Sequence, residues 1–261
     1  MLHGWGLHGG IWEGLGAPPP PGAEPGTEPG AEQGAEQEAG YTYLAPDLPG
    51  HGHDTGAEVD PYTLDALARH HEDRLARRTV LAGWSLGGMV ALTLARRRPE
   101  RIAGLVLIGA TPRFTTAPGW PHGLDPALLA DFSDALARDQ ATTLQRFLAL
   151  QSQGCAQART LTRRLRALAE DAPPPRASAL AGGLDILRSA DLRDLLKEIH
   201  CPVLLIHGER DPVVPAAAAR AMAARLADAR LHLLPGAGHA PFLSHTRHCH
   251  ELIRAFCHEH L

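Results

Sequence analysis

Residues 79–95 encode a strand, a tight turn and a helix in immediate succession, and they constrain the fold more than any other stretch. The apolar run Thr79-Val80-Leu81-Ala82 leads into Gly83-Trp84-Ser85-Leu86-Gly87. Helix-compatible sequence follows, Gly88-Met89-Val90-Ala91-Leu92-Thr93-Leu94-Ala95. A Gly-x-Ser-x-Gly pentapeptide in that context has the pattern of a nucleophile elbow. The turn forces Ser85 into a strained backbone conformation, and the flanking glycines let strand and helix pass without Cβ clashes. The hydroxyl is thereby held at the carboxyl end of a sheet, where α/β folds place their active sites. Taken alone, the same five residues are also a plain Gly-Ser turn with no chemistry.

A serine hydroxyl is a weak nucleophile until a base takes its proton. Behind an elbow serine the chain order is acid, then histidine. Pro202-Val203-Leu204-Leu205-Ile206 reads as a buried strand, and it ends in His207-Gly208-Glu209-Arg210-Asp211-Pro212-Val213-Val214-Pro215. Asp211, just past the strand end and fixed by two prolines, is the candidate acid. Leu231-His232-Leu233-Leu234 is a further short strand, leading into Pro235-Gly236-Ala237-Gly238-His239. Gly238 is expected to free the backbone so that the His239 imidazole swings toward Ser85. A lone Asp or His in a loop is usually just solvated. Three such residues in the required order, each at a strand end, point to Ser85 as nucleophile, His239 as base and Asp211 as its orienting acid. A tetrahedral intermediate also needs N–H donors. Leu86, following the nucleophile, supplies one, and the early His3-Gly4-Trp5-Gly6 loop makes Trp5 the candidate for the other. The alternative is a loose N-terminus that happens to contain glycines.

Strand-like runs alternating with helical spacing imply an α/β fold with a mostly parallel sheet. Residues 41–45 read as a strand, residues 64–77 as a helix, and residues 102–108 as a strand buried on both faces. From residue 111 to about residue 197 the strand signal stops. That segment reads as a helical lid inserted between two strands, within one domain spanning residues 1–261. In it Leu161, Leu165 and Leu168 fall on one helical face and Arg159, Arg163 and Arg166 on the opposite one. By spacing alone this is a solvated basic face. Residues 17–40 form a degenerate Pro/Gln-Gly-Ala/Thr-Glu repeat with almost nothing apolar to bury, and disorder is expected there.

A chain of 261 residues suffices for one α/β domain with a buried core. Its net charge of −4 gives no bulk attraction to nucleic acid. No apolar run reaches the roughly 18 residues of a membrane span. No basic segment followed by an apolar stretch opens the chain, so no signal peptide is read. Cys155, Cys201, Cys249 and Cys257 lack C-x-x-C spacing and fit the reduced thiols of a cytoplasmic enzyme. Near the C-terminus, His248 and His250 diverge on a helix and no second ligand set stands at zinc-finger spacing, so no metal is expected. Serine chemistry needs no cofactor, and a monomer is expected.

Six stretches together carry a resemblance. They are Leu2-His3-Gly4-Trp5-Gly6-Leu7, Asp47-Leu48-Pro49-Gly50-His51-Gly52, Gly83-Trp84-Ser85-Leu86-Gly87-Gly88, Arg146-Phe147-Leu148-Ala149-Leu150-Gln151, Gly182-Gly183-Leu184-Asp185-Ile186-Leu187 and His239-Ala240-Pro241-Phe242-Leu243-Ser244-His245. The chain resembles the α/β-hydrolase-fold serine esterases, and most of all the biotin-pathway esterases that hydrolyse pimeloyl-[acyl-carrier protein] methyl ester. The two stretches between residues 146 and 187 lie in the lid and discriminate best. The resemblance implies that Arg146, Arg159 and Arg163 receive the acidic carrier protein and its phosphopantetheine arm. Arg164 and Arg166 add nearby charge, and Thr142 stands where the family has another arginine. It also implies that Phe147 and Trp84 flank the acyl chain, although each is equally at home as core. Members of that family carry strands ahead of the His-Gly-Trp loop and a packed helix where residues 17–40 stand. With only Met1-Leu2 before His3, either the start is misassigned or a central strand is lacking, which would gap the sheet and leave Trp5 poorly anchored. Two rivals stay open: a lactonase or C–C bond hydrolase on the same fold, and a non-catalytic binding scaffold.

Overall fold

The computed structural model describes residues 1–13, 15, 37–38, 41–54, 56 and 59–261. The repeat of residues 17–40, expected to be disordered, lies outside them except for Gln37–Glu38. Those two residues form β1 (Gln37–Glu38), which pairs antiparallel with β2 (Tyr41–Thr42) in a ribbon of its own. The main sheet is parallel, in the order β3 (Thr79–Trp84), β4 (Ile102–Ile108), β5 (Val203–Gly208), β6 (Ala229–Leu234).

The strand expected over residues 41–45 is corrected to two residues, and it does not join the main sheet. Among the described residues the place beside β3 is taken by Leu2 alone: Leu2 N donates to Ala82 O at 2.8 Å and Trp84 N to Leu2 O at 3.0 Å. One residue offers no ladder for a further strand to extend. The chain after β2 runs past the N-terminal residues instead, with Leu44 O accepting from the Met1 ammonium and Leu48 N donating to His3 Nε2 at 2.8 Å.

Side chains alternate across a strand, so each apolar run feeds two cores. In register, Leu81, Leu105 and Val203 enter one core, while Ala82, Val106 and Leu204 enter the other. The first core is covered by α1 (Leu64–Glu72), α2 (Leu86–Arg97) and, later in the chain, the helix Ala216–Ala223. Thr63 caps α1, which ends at Glu72 rather than running to residue 77 because Arg74 N and Leu75 N turn back onto the carbonyls of His71 and Glu72. Between β4 and β5 the chain forms α3 (Pro126–Arg138), α4 (Gln140–Gln151), α5 (Ala158–Glu170) and α6 (Ala177–Ser189). The helix after β5 is α7 (Ala216–Ala223), and α8 (Pro241–Ser244) and α9 (Thr246–His260) close the second core. Among the described residues no helix is long and apolar enough to cross a membrane. The four cysteines are unpaired.

Candidate active site

Ser85 sits between β3 and α2 with φ 55° and ψ −117°, the one positive φ among the described non-glycine residues. An L-residue is held there only when its surroundings over-determine it. Here Ser85 N donates to Ile108 O, and Gly88 N donates back to Ser85 O, both at 3.0 Å. Gly87 admits the N-terminal segment: a Cβ on it would stand 2.3 Å from Leu2 O and 2.5 Å from His3 O. The loop that follows Leu2 is thereby laid against the first turn of α2, beside the Leu86 amide.

His239 reaches the same place from beyond β6. Its ring lies against Gly109, the residue after Ile108, where a Cβ would be 3.2 Å from Nδ1. Trp84 Nε1 donates to His239 O at 2.8 Å, and the two rings are 5.4 Å apart. His239 Nδ1 bonds Asp211 Oδ2 at 2.8 Å, with both side chains wholly buried. Asp211 Oδ1 accepts the N–H groups of Val213 and Val214, each at 2.8 Å. A carboxylate needs the N–H of the histidine facing it, so the other ring nitrogen, Nε2, is left as the acceptor. That Nε2 is buried and has no hydrogen-bond partner among the described residues. The three sequence-predicted residues therefore stand at one end of the sheet, with Nε2 of His239 left without a partner among the described residues. Gly238 does not act as expected. It is Gly236 that takes a positive φ (73°), whereas a Cβ on Gly238 would stand 2.6 Å from Cys155 Sγ. Gly238 lets the end of α4 and the α4–α5 turn approach, and the carbonyl of Gln151, the last residue of α4, accepts the His239 N–H at 3.1 Å.

Trp5 is firmly held despite the single-residue strand before it. Its side chain is 1% exposed, its Nε1 donates to Leu180 O of α6 at 2.8 Å, and its ring meets Phe147 and Phe132 edge-on at 5.1 and 5.6 Å. The inserted helices supply the anchor that a neighbouring strand would otherwise provide. Two histidines pin the loop backbone. Leu48 N donates to His3 Nε2, which leaves His3 Nδ1–H for Gly4 O at 2.8 Å, and Gly6 N donates to His51 Nε2 at 3.4 Å. Burial holds His3 well below the usual histidine pKa and lowers His51 to about 4, so both are neutral acceptors.

Phe147 faces the Trp5–Phe132 cluster, and Phe132 was not singled out by sequence; with only five phenylalanines in the chain, two in the inserted helices were the available signal. Trp84 packs elsewhere, against Phe242 and under Gly4, and touches His239 rather than Phe147. Two further residues escaped notice. Gln151 is fully buried, and its side-chain amide has no partner among the described residues. His207 lies against Asp211. On the outer surface, α4 and α5 form a cleft of about 960 Å³ lined by Arg146, Arg159, Arg163 and Arg166. Arg164 turns the other way and donates to Leu243 O.

The model of the Alpha/beta hydrolase family matches residues 1–255. A pimeloyl-[acyl-carrier protein] methyl ester esterase from Aromatoleum aromaticum is 42% identical over 258 residues, covering 97% of this chain and 95% of its own. The esterase of the same name from Nitrosomonas europaea is 41% identical, covering 94% of this chain and 89% of its own. Among solved structures, an esterase from Exiguobacterium antarcticum superposes with a TM-score of 0.81 at 23% identity, covering 98% of this chain and 90% of its own, a likeness of fold. With the family model spanning residues 1–255 and relatives 42% and 41% identical over nearly the whole chain, the chain belongs to the alpha/beta hydrolase family.

Proposed function

We propose that this chain is a serine carboxylesterase that hydrolyses pimeloyl-[acyl-carrier protein] methyl ester, giving pimeloyl-carrier protein and methanol in biotin synthesis. The observation that carries the reading is His239, tied at Nδ1 to Asp211 with Nε2 left without a partner among the described residues, packed on Gly109 next to Ile108, whose carbonyl holds the strained Ser85 turn. His239 takes the Ser85 proton as Oγ attacks the ester carbonyl, and Asp211 stabilises the imidazolium. The N–H groups of Leu86 and Trp5 receive the oxyanion. The imidazolium then protonates the departing methoxide. Water enters through the same base and frees the acid, and no step calls for a cofactor. The inserted helices act as a lid: Phe147, with Trp5 and Phe132, walls the acyl chain, while Trp84 backs His239. Arg146, Arg159 and Arg163 in the outer cleft receive the phosphate of the carrier arm, for which a guanidinium offers paired donors. The enzyme works as a monomer in the cytoplasm.

The test is hydrolysis of the carrier-bound methyl ester, with p-nitrophenyl butyrate alongside, by wild type and Ser85→Ala. Wild-type turnover of both, abolished in a folded Ser85→Ala protein, is expected. Turnover of the small ester alone would remove the carrier role, and activity surviving in Ser85→Ala would remove the mechanism.

A further inference from the structure

His207 takes no part in the steps above, yet it completes the surroundings of the acid. It is the penultimate residue of β5, 2% exposed, with Nε2 2.8 Å from Val214 O and 3.4 Å from Asp211 Oδ2. A backbone carbonyl only accepts, so Nε2 carries the proton, and the same N–H faces the carboxylate. The longer approach is an electrostatic contact and not a second hydrogen bond. Val214 bridges the two side chains: its N–H goes to Asp211 Oδ1 and its carbonyl takes the His207 proton. The two backbone donors locate Oδ1, while His207 and His239 lie on Oδ2 from two directions.

We propose that His207 is a positioning residue for the triad: its N–H, held by Val214 O against the Asp211 carboxylate, fixes the rotation of that group so that Oδ2 stays aimed at His239 Nδ1. This rests on the assignment of Ser85, Asp211 and His239 made above. The ring suits the task because it brings no second positive charge. Burial lowers its proton affinity, so it donates as a neutral group beside a base that must become charged.

Two variants separate position from mere packing. In His207→Gln an amide N–H reaches about as far as Nε2, whereas in His207→Asn it stops short. His207→Asn is expected to lower kcat about tenfold or more with KM within about twofold, the signature of misaligned catalytic groups. It is also expected to shift or abolish the low-field proton resonance of His239 Nδ1–H. His207→Gln is expected to keep both near wild type. Unchanged kcat and resonance in His207→Asn, even with a lower melting temperature, would overturn the proposal, as would equal losses in both variants. The resonance needs no turnover. If wild type hydrolyses neither ester, the esterase reading fails while the resonance comparison still decides the role of His207.

Discussion

His51 and His3 hold the loop that carries Trp5 by accepting N–H bonds, a task only the neutral ring performs. An unfolded His51 takes up a proton below about pH 6.5, the folded one only near pH 4. The unfolded chain therefore binds more protons between those values, and stability is full above 6.5 and lost as pH falls through that window. For His51 alone the loss approaches about 3 kcal/mol by pH 4. Urea midpoints should fall from pH 7 to pH 5, and His51→Gln should flatten the slope; an identical slope would remove His51 as its source. At Asp211, an Asn substitution leaves Oδ1 for the Val213 and Val214 amides and presents its NH₂ to His239. The wrong tautomer results, and kcat should drop by roughly 10⁴ at neutral pH with the fold intact. Ser85, Asp211 and His239 were legible because each stands directly behind an apolar run and their order is fixed. His207 belongs to the same run-and-turn as Asp211 yet was silent, since its bonds go through a turn that folds back on the strand. Phe132 was silent because an aromatic on an amphipathic helix reads as core.

At the level of elements, the spacing on α5 was readable and the cleft was not. Leu161 and Leu165 are buried as their steps of four demand, and Arg159, Arg163 and Arg166 share the outward face. That this face meets Arg146 across from α4 depends on how two helices pack, which no single helix records. Replacing Arg146, Arg159 and Arg163 together by Ala should raise KM for the carrier-bound ester about tenfold and leave p-nitrophenyl butyrate within about twofold, with the wild-type KM itself rising with salt. Equal effects on both esters would mean damage to the pocket rather than loss of a docking face. The strand over residues 41–45 was misread for the converse reason. Its sequence suits a strand, but a strand needs a partner, and among the described residues only Leu2 stands beside β3.

Across the whole molecule, that edge divides the sheet into unequal parts. Among the described residues, β4 and β5 are paired on both sides, while β3 is paired on one side and capped by Leu2 only near its end. Ser85 N points to β4 and Trp84 N to Leu2, so by alternation the Val80 and Ala82 amides face outward. These two should exchange with solvent at least about tenfold faster than the Leu105 and Leu107 amides; equal protection would mean that the edge is covered in solution. The parallel order itself was legible from the apolar runs, whereas the edge was not, because pairing beyond β3 depends on residues far apart in sequence. A different consequence follows from α4. This twelve-residue helix presents Arg146 to the cleft and Phe147 to Trp5 and Phe132, and its last carbonyl holds the backbone of His239. On the proposed reading, the surface that docks the carrier and the backbone that seats the base therefore share one element. A substitution on α4 reaches both, whereas α5 lines the cleft without a hydrogen bond to His239 among the described residues.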